Sequence, residues 1–331
     1  MELFDFIKTL SETNGVSGLE APVRELIVSE IRQYCDSVKI DKAGNIIAQK
    51  GSGEKKILVV CGMDEPGFII SGVKSGCGAF LSFEPVGRIE AASVISESVV
   101  VGENHIPGVI SLKAVHLSKS EEREKPAGLS ELYIDIGAGS EKEAEQAVMT
   151  GDYAAFKSRY RELGENAVCN KAIGLRACCG VLAELLKQEF GGVSLICAFT
   201  VQRQTGGRGA RVDLEHEGLS AAVVLDTDHT QELGKGAVAP FMSGETAADR
   251  ELVSRLLSFG ARPSAQKKDE SEISSISIKG GGVSAAELDI PVKNSGTASE
   301  IADKRDVRAA YEILFKFIKS AGEQAAAGGE K

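Results

Sequence analysis

The sequence predicts an α/β fold whose sheet domain is interrupted by a small β-rich insertion. Three observations carry that expectation. Short apolar runs such as Lys56 to Cys61 and Val193 to Val201 alternate with amphipathic helical stretches, the pattern of buried strands covered by helices. Between about Phe68 and Phe156 the character changes to short alternating segments separated by Gly, Ser and Pro. At 331 residues the chain also exceeds the usual size of a single core, so a second unit is expected.

Each element follows from local spacing. Leu3, Phe6, Ile7 and Leu10 recur at helical intervals until Asn14-Gly15-Val16-Ser17-Gly18 breaks the pattern. Ser17 and Glu20 have capping-box spacing ahead of a second stripe, Val23, Ile27 and Ile31. Ser37 to Lys50 reads as a hairpin turning at Lys42-Ala43-Gly44-Asn45, and Lys56 to Cys61 as a buried strand. In the middle region, Phe68 to Val73, Ala79 to Phe83, Ser98 to Val101 and Pro107 to Ser111 read as strands, and Ser118 to Pro126 as a solvated charged loop. Alternation of helix and strand then resumes. Leu175 to Leu186 is expected to be helical, Val193 to Val201 a strand, Gly209 to His216 a helix and Ala221 to Asp226 a strand. Ala247 to Phe259 follows as a helix, Ile290 to Val292 as a short strand and Val307 to Ile318 as the last amphipathic helix. The expected division is therefore a discontinuous α/β domain over 1–67 and 162–322, an inserted unit over 68–161, and a flexible tail over 323–331.

Charge and cysteine content exclude several function classes. With 48 acidic against 38 basic residues the formal net charge is −10, which argues against a nucleic-acid partner. No apolar stretch approaches the roughly 20 residues needed to span a membrane. The start of the chain, Met1-Glu2-Leu3-Phe4-Asp5, carries no secretory-signal pattern. The seven cysteines (Cys35, Cys61, Cys77, Cys169, Cys178, Cys179 and Cys197) are odd in number and lack the spacings of a disulfide framework or zinc ribbon. Several lie in apolar runs, where a free thiol packs as a small hydrophobe, so a reducing cytoplasm is expected.

Two segments invite a chemical reading. Cys61-Gly62-Met63-Asp64-Glu65 closes one buried strand and Asp226-Thr227-Asp228-His229 another. In open α/β sheets ligands bind outside the carboxyl ends of strands. Taken alone, these acids suit either a metal or acid–base site or ordinary helix capping.

Across nearly its whole length the chain resembles the dinuclear-zinc aminopeptidases of the tetrahedral and glutamyl aminopeptidase type. The landmarks are Asn14 to Gly18, Asp41-Lys42-Ala43-Gly44-Asn45, Met63-Asp64-Glu65, Phe83-Glu84-Pro85-Val86-Gly87 and Ile106-Pro107-Gly108-Val109-Ile110. They continue through Leu132 to Ala138, Asn170-Lys171-Ala172, Phe199-Thr200-Val201-Gln202, Arg208-Gly209-Ala210-Arg211, Leu233-Gly234-Lys235-Gly236 and Ile290-Pro291. The resemblance implies a zinc-exopeptidase-type α/β/α domain with an inserted β-barrel-like domain that shapes oligomer contacts and the substrate chamber. It also implies a homo-oligomer, dodecameric in some family members, and a pair of zinc or cobalt ions.

At the family's catalytic positions this sequence departs from the pattern. The first zinc-binding His falls at Gly62, while the following Asp is kept as Asp64. The metal-bridging Asp falls at Gly174, with Leu175 where a second Asp usually stands. The Glu-Glu pair of general base and ligand is Arg203-Gln204, and the last His ligand falls at Gly296. An Asp usually found after the glycine run falls at Ser284. Of five ligand positions only Asp226 keeps a good ligating side chain, followed by Asp228-His229. A catalytic zinc needs about three protein ligands plus an open position, and two dications need a bridging anion. An Arg in place of the base accepts no proton and repels metal. The expectation is therefore a pseudopeptidase without a resident cofactor, serving as a structural or regulatory subunit, alone or with an active paralogue. The alternative is a metal-dependent aminopeptidase with a rearranged or residual site.

Replacement ligands are scarce. Cys61 should face away from Gly62, because successive strand residues alternate. Cys178 and Cys179 lie about one helical turn after Gly174. His229 with Asp226 or Asp228 would form a weak site from one loop. Two roles are open for the arginines: Arg203 pairs with Asp64 or Asp226 and fills the metal's place, or Arg203 and Arg176 present an anion site for a peptide carboxylate or phosphate.

Overall fold

The computed structural model describes residues 1–328 apart from 76–77, 114–125, 213, 215–216, 267 and 269–270. One sheet organises the α/β unit. Its strands run in the order Ser37–Ile40, Ile46–Lys50, Val193–Thr200, Lys55–Gly62, Leu219–Asp228, Ala285–Lys293, Glu300–Asp303, Ala167–Asn170 and Arg161–Leu163. The four central strands, Val193–Thr200 through Ala285–Lys293, pair in parallel. They are apolar on both faces because both faces are covered.

Alternation along these strands sorts the core. Val59, Cys61, Val223, Leu225 and Leu288 point to one face, packed by Leu3–Glu12, Ala21–Ile31, Ile173–Leu186 and the last helix through Phe6, Ile27, Leu182 and Phe317. Leu58, Val60, Ala198 and Val224 point to the other, covered by the short Arg208–Arg211 and Ile273–Ser277 helices through Ala210, Ile273 and Ile276. The polar cluster described below lies at the carboxyl ends of this second face.

A closed barrel is inserted after the Lys55–Gly62 strand. It joins Gly67–Ser75, Ala79–Val86, Leu132–Asp135, Ile106–Leu112, Ser98–Val101 and Tyr153–Phe156 around its own core. Phe68 is its centre, edge-on to Phe83 at 4.9 Å and to Phe156 at 5.3 Å. The barrel leaves and rejoins the sheet beside the strand ends, so Pro66 and Arg88 stand on the rim of the cleft.

Several elements differ from the sequence expectation. Of the helix expected over Gly209–His216, the described residues form a single turn, Arg208–Arg211. Ala247 to Phe259 narrows to Arg250–Ser258, because Asp249 caps it by accepting hydrogen bonds from Glu251 N and Leu252 N at 3.0 Å. The capping box does not form: Glu20, not Ser17, precedes the Ala21–Ile31 helix and accepts from Gly18 N and Gln202 N. The strand expected at Ile290 to Val292 spans Ala285–Lys293, its first half disguised by Glu287 and Asp289. The last helix runs Lys304–Gly328, past the expected boundary at 322. The charged loop at 118–126 lies outside the described residues but for Pro126. Among the described residues no helix is long and apolar enough to cross a membrane.

Candidate active-site cleft

Strand register builds the site. Asp226 and Asp289 are paired residues on neighbouring parallel strands, so their side chains share a face, and Glu287 shares it two positions earlier. Gly62 and Thr200, also paired, end their strands on the same face. Beside this row opens a cleft of about 360 Å³ lined by residues including Arg88, Gln204, His229, Lys268 and Gly296.

Two cations fill the row of acids. Arg203 donates through Nε and Nη2 to Asp226 Oδ2 at 3.2 and 2.7 Å. Lys268 Nζ lies 3.0 Å from the same oxygen, 2.6 Å from Glu287 Oε1 and 2.9 Å from Asp289 Oδ1. Ser271 donates to the other Glu287 oxygen. Burial pushes the Asp226 carboxyl up, but Arg203 and Lys268 outweigh it and hold the group below the usual carboxylate range. The same acids outweigh burial for Lys268, whose ammonium is held well above its ordinary value. Burial and the neighbouring Glu287 push the Asp289 carboxyl well above its ordinary value, against the opposing pull of Lys268.

Other acids stand close by and are buried. Asp64 Oδ2 accepts from Gln204 N at 2.8 Å, and burial pushes its pKa up to about 6. Glu272 accepts from the Thr200 hydroxyl at 2.8 Å and is pushed by burial up to about 8. Glu300 accepts from Gly174 N at 3.2 Å and is pushed by burial up to about 7.

The positions singled out in the sequence are thus partly gathered. Gly62 and Asp226 meet on one face, and Arg203 pairs with Asp226 and not with Asp64. Gly62 leaves room for the Arg203 stem: a Cβ there would lie 2.8 Å from Arg203 Cδ. A Cβ at Gly174 would lie 2.7 Å from both Thr227 Cγ2 and Val292 Cγ1. Gly296 has φ +78°, and its Cβ would lie 2.8 Å from the Arg88 carbonyl oxygen. Gln204 lines the cleft. Ser284 sits at the opposite end of its strand, where its carbonyl accepts from Ala222 N.

Arg176 does not join Arg203. Its side chain is 0% exposed, donates to the Met63 carbonyl and lies 3.5 Å from Glu65 Oε2, so the two guanidiniums form no common anion site. Cys61 faces the helix side, as alternation requires, with its sulfur 3.8 Å from Cys179. Burial pushes the Cys61 and Cys178 thiols well up, as for packed cysteines. Asp228 is engaged by Thr230 N and hydroxyl, and His229 lines the cleft without joining the acids around Lys268. Sequence reasoning missed Lys268, Glu272, Glu287, Asp289 and Glu300. The only signal was the two-residue spacing of Glu287 and Asp289, which puts both on one face of a strand.

The family model of the M42 glutamyl aminopeptidases matches residues 44–313. The chain belongs to that family. It is 26% identical to the lysyl aminopeptidase of Pyrococcus furiosus over 329 residues, which span 92% of this chain and 93% of the relative. The TET aminopeptidase of a marine-sediment thaumarchaeon superposes with a TM-score of 0.91 at 25% identity, covering 98% and 99% of the two chains. The TET1 peptidase of Pyrococcus horikoshii, which can assemble into a tetrahedron or a large octahedral shell, gives 0.85 at 27% identity, covering 96% and 99%.

M42 aminopeptidases are metal-dependent, and the residues at this cleft do not fit a metal pair. Among the described residues no three His, Cys, Asp or Glu side chains are disposed to hold a metal ion. A dication on Asp226 would face a guanidinium and an ammonium already 2.7 and 3.0 Å from its carboxylate oxygen. At Gly62, Gly174 and Gly296 the backbone is closed in by its neighbours, so a ligand side chain cannot be added at any of the three without displacing them.

Proposed function

We propose that this chain is a non-hydrolytic M42 protein, a pseudopeptidase in which an internal ion-pair cluster stands where its metal-dependent relatives carry out their chemistry. The observation that carries this reading is the convergence of Arg203 and Lys268 on Asp226. A carboxylate neutralised by two resident cations offers little to a metal, and Arg203 at the base position takes up no proton from water. The cleft itself remains open beside the cluster. Its role is then binding or assembly. Its relatives' shells support a homo-oligomer, with or without an active paralogue as co-subunit. The free, mostly buried thiols among the described residues suit a reducing cytoplasm.

The test is metal analysis of protein purified without chelator, with aminopeptidase assays on Leu-, Glu- and Lys-anilides with added zinc or cobalt. The expected result is no stoichiometric metal and no metal-stimulated turnover. Stoichiometric metal with metal-dependent turnover overturns the reading in favour of a rearranged active site. Native mass spectrometry of the protein from its own cells decides between self-assembly and a mixed shell.

A further inference from the structure

A second cavity, of about 280 Å³, shares Arg203 with the cleft and no other described lining residue. Three segments distant in sequence converge on it: the turn of Gly206 and Gly207 leading to Arg211, the hairpin turn at Gly244, and the stretch holding Ser271 and Ser275. Its donors are largely unspent. Arg211 is exposed and makes no hydrogen bond or ion pair among the described residues, although a guanidinium carries five N–H groups. The Ser275 hydroxyl likewise has no partner among them. Arg203 gives Nε and Nη2 to Asp226 and leaves Nη1, which is not sealed from solvent, unengaged by any described residue. Gly206 and Gly207 have φ +89° and +62°, so the turn presents backbone to this wall and no side chain. The Arg211 guanidinium lies over that turn, its Nη2 3.9 Å from where a Cβ on Gly206 would stand.

We propose that this cavity binds phosphate, free or as the terminal group of a small ester. Donors reach it from separate elements, which suits a tetrahedral oxyanion with oxygens on several sides; a planar carboxylate would occupy one guanidinium edge. Arg211 supplies an uncommitted charge, Arg203 Nη1 a second charged donor and Ser275 a neutral one. Asp226 fixes the Arg203 guanidinium from its other edge, so this donor is held in place before a ligand arrives. Two acids border the cavity. Glu245 is exposed, where water and salt screen its charge. Glu272 is pushed by burial up to about 8 and carries little negative charge near neutral pH. A volume of about 280 Å³ admits a phosphate with a small organic body and not a polymer. The site stands whether or not the neighbouring cleft takes a metal.

The experiment is isothermal titration calorimetry of the full chain in metal-free buffer, with inorganic phosphate and with glycerol 3-phosphate as probes. Expected is one saturable site per chain. Tighter binding of glycerol 3-phosphate assigns an ester as the ligand, and tighter binding of inorganic phosphate assigns the free ion. Arg211→Gln should weaken the better probe at least about tenfold. Arg208→Gln, on the same helical turn but outside the cavity lining, should leave binding unchanged, as should Arg88→Gln on the rim of the cleft. No saturable binding up to on the order of 10 mM overturns the proposal. So does equal weakening by Arg208→Gln, which would mean general surface charge, or weakening by Arg88→Gln alone, which would place the anion in the cleft. Urea unfolding verifies that each variant is folded. Hydrogen exchange of the natural protein is the independent measurement: the bound probe should slow exchange over 203–207 and 271–275, and unchanged exchange there also overturns the proposal.

Discussion

Replacing Asp226 by Asn separates a salt-bridge role from a metal-ligand role. The substitution keeps the side chain's size and deletes one negative charge, at a site where Arg203 Nη2 and Lys268 Nζ lie 2.7 and 3.0 Å from the same oxygen. Removing one partner of a buried ion pair costs about 3–5 kcal/mol, because the other charge is left uncompensated. Two features soften that here. The Asn oxygen still accepts one hydrogen bond, and Lys268 keeps Glu287 and Asp289 at 2.6 and 2.9 Å. The expected loss is therefore about 2–3 kcal/mol. A carboxylate held in readiness for a metal behaves in the opposite sense: in metal-free protein its neighbouring acids repel it, and Asn relieves the repulsion. The assay is urea unfolding of both proteins in EDTA, followed by far-UV circular dichroism. Asp226 is held below the ordinary carboxylate range, so its contribution is fully present above an unfolded-state pKa of about 4 and is lost only as pH falls through the lower folded value. The difference between the proteins should thus persist across neutral pH and vanish only in strong acid. Equal or greater stability of the variant in EDTA refutes the argument.

Two further predictions follow from the same cluster. Glu272, raised by burial to about 8, holds a proton in the folded chain that the unfolded chain releases above about pH 4, so stability should fall as pH rises between these values. Glu272→Gln reduces that slope, measured as urea midpoints over a pH series, and leaves the share of Asp64 and Glu300, raised to about 6 and 7; an unchanged slope assigns the dependence elsewhere. Gly62→His should cost about 1–3 kcal/mol by crowding the Arg203 stem. Combined with Arg203→Ala it should be less destabilising than the sum of the single changes, and strict additivity would show that the two residues do not compete for that space.

The fold was legible because buried strands and amphipathic helices announce themselves by period. Lys56 to Cys61 and Val193 to Val201 are apolar on both faces, and the barrel segments alternate. The departures from the family pattern at Gly62, Gly174, Arg203, Gln204 and Gly296 were legible as well, by their place in the resemblance. The partners of Asp226 other than Arg203 were not. Lys268 stands between the Arg262–Ser264 strand and the Ile273–Ser277 helix, in a run of charges that reads as solvated surface. Glu287 and Asp289 hid the first half of a central strand, because buried acids in a sheet are tolerable only when partnered, and the partner is distant in sequence. The family landmarks also take on a physical meaning. Asn45 accepts from Val201 N and donates to the Gly209 carbonyl and to Asp41 Oδ2, pinning the turn that carries Arg203. Glu65 accepts from Lys171 at 2.6 Å and from Gly15 N at 2.8 Å, tying the barrel's root to the helix that starts at Ile173.

The cation cluster follows from one constraint. The parallel register fixes Asp226 beside Asp289 at the spacing of neighbouring strands, roughly 5 Å, away from bulk water. Two buried acids at that distance repel unless one is protonated or a cation lies between them. Without a metal between them, these acids therefore require positive charge from the chain itself. Arg203 and Lys268 supply it. Arg203 can take that place only with a residue at position 62 that leaves room for its stem, so Gly62 and Arg203 are coupled sterically.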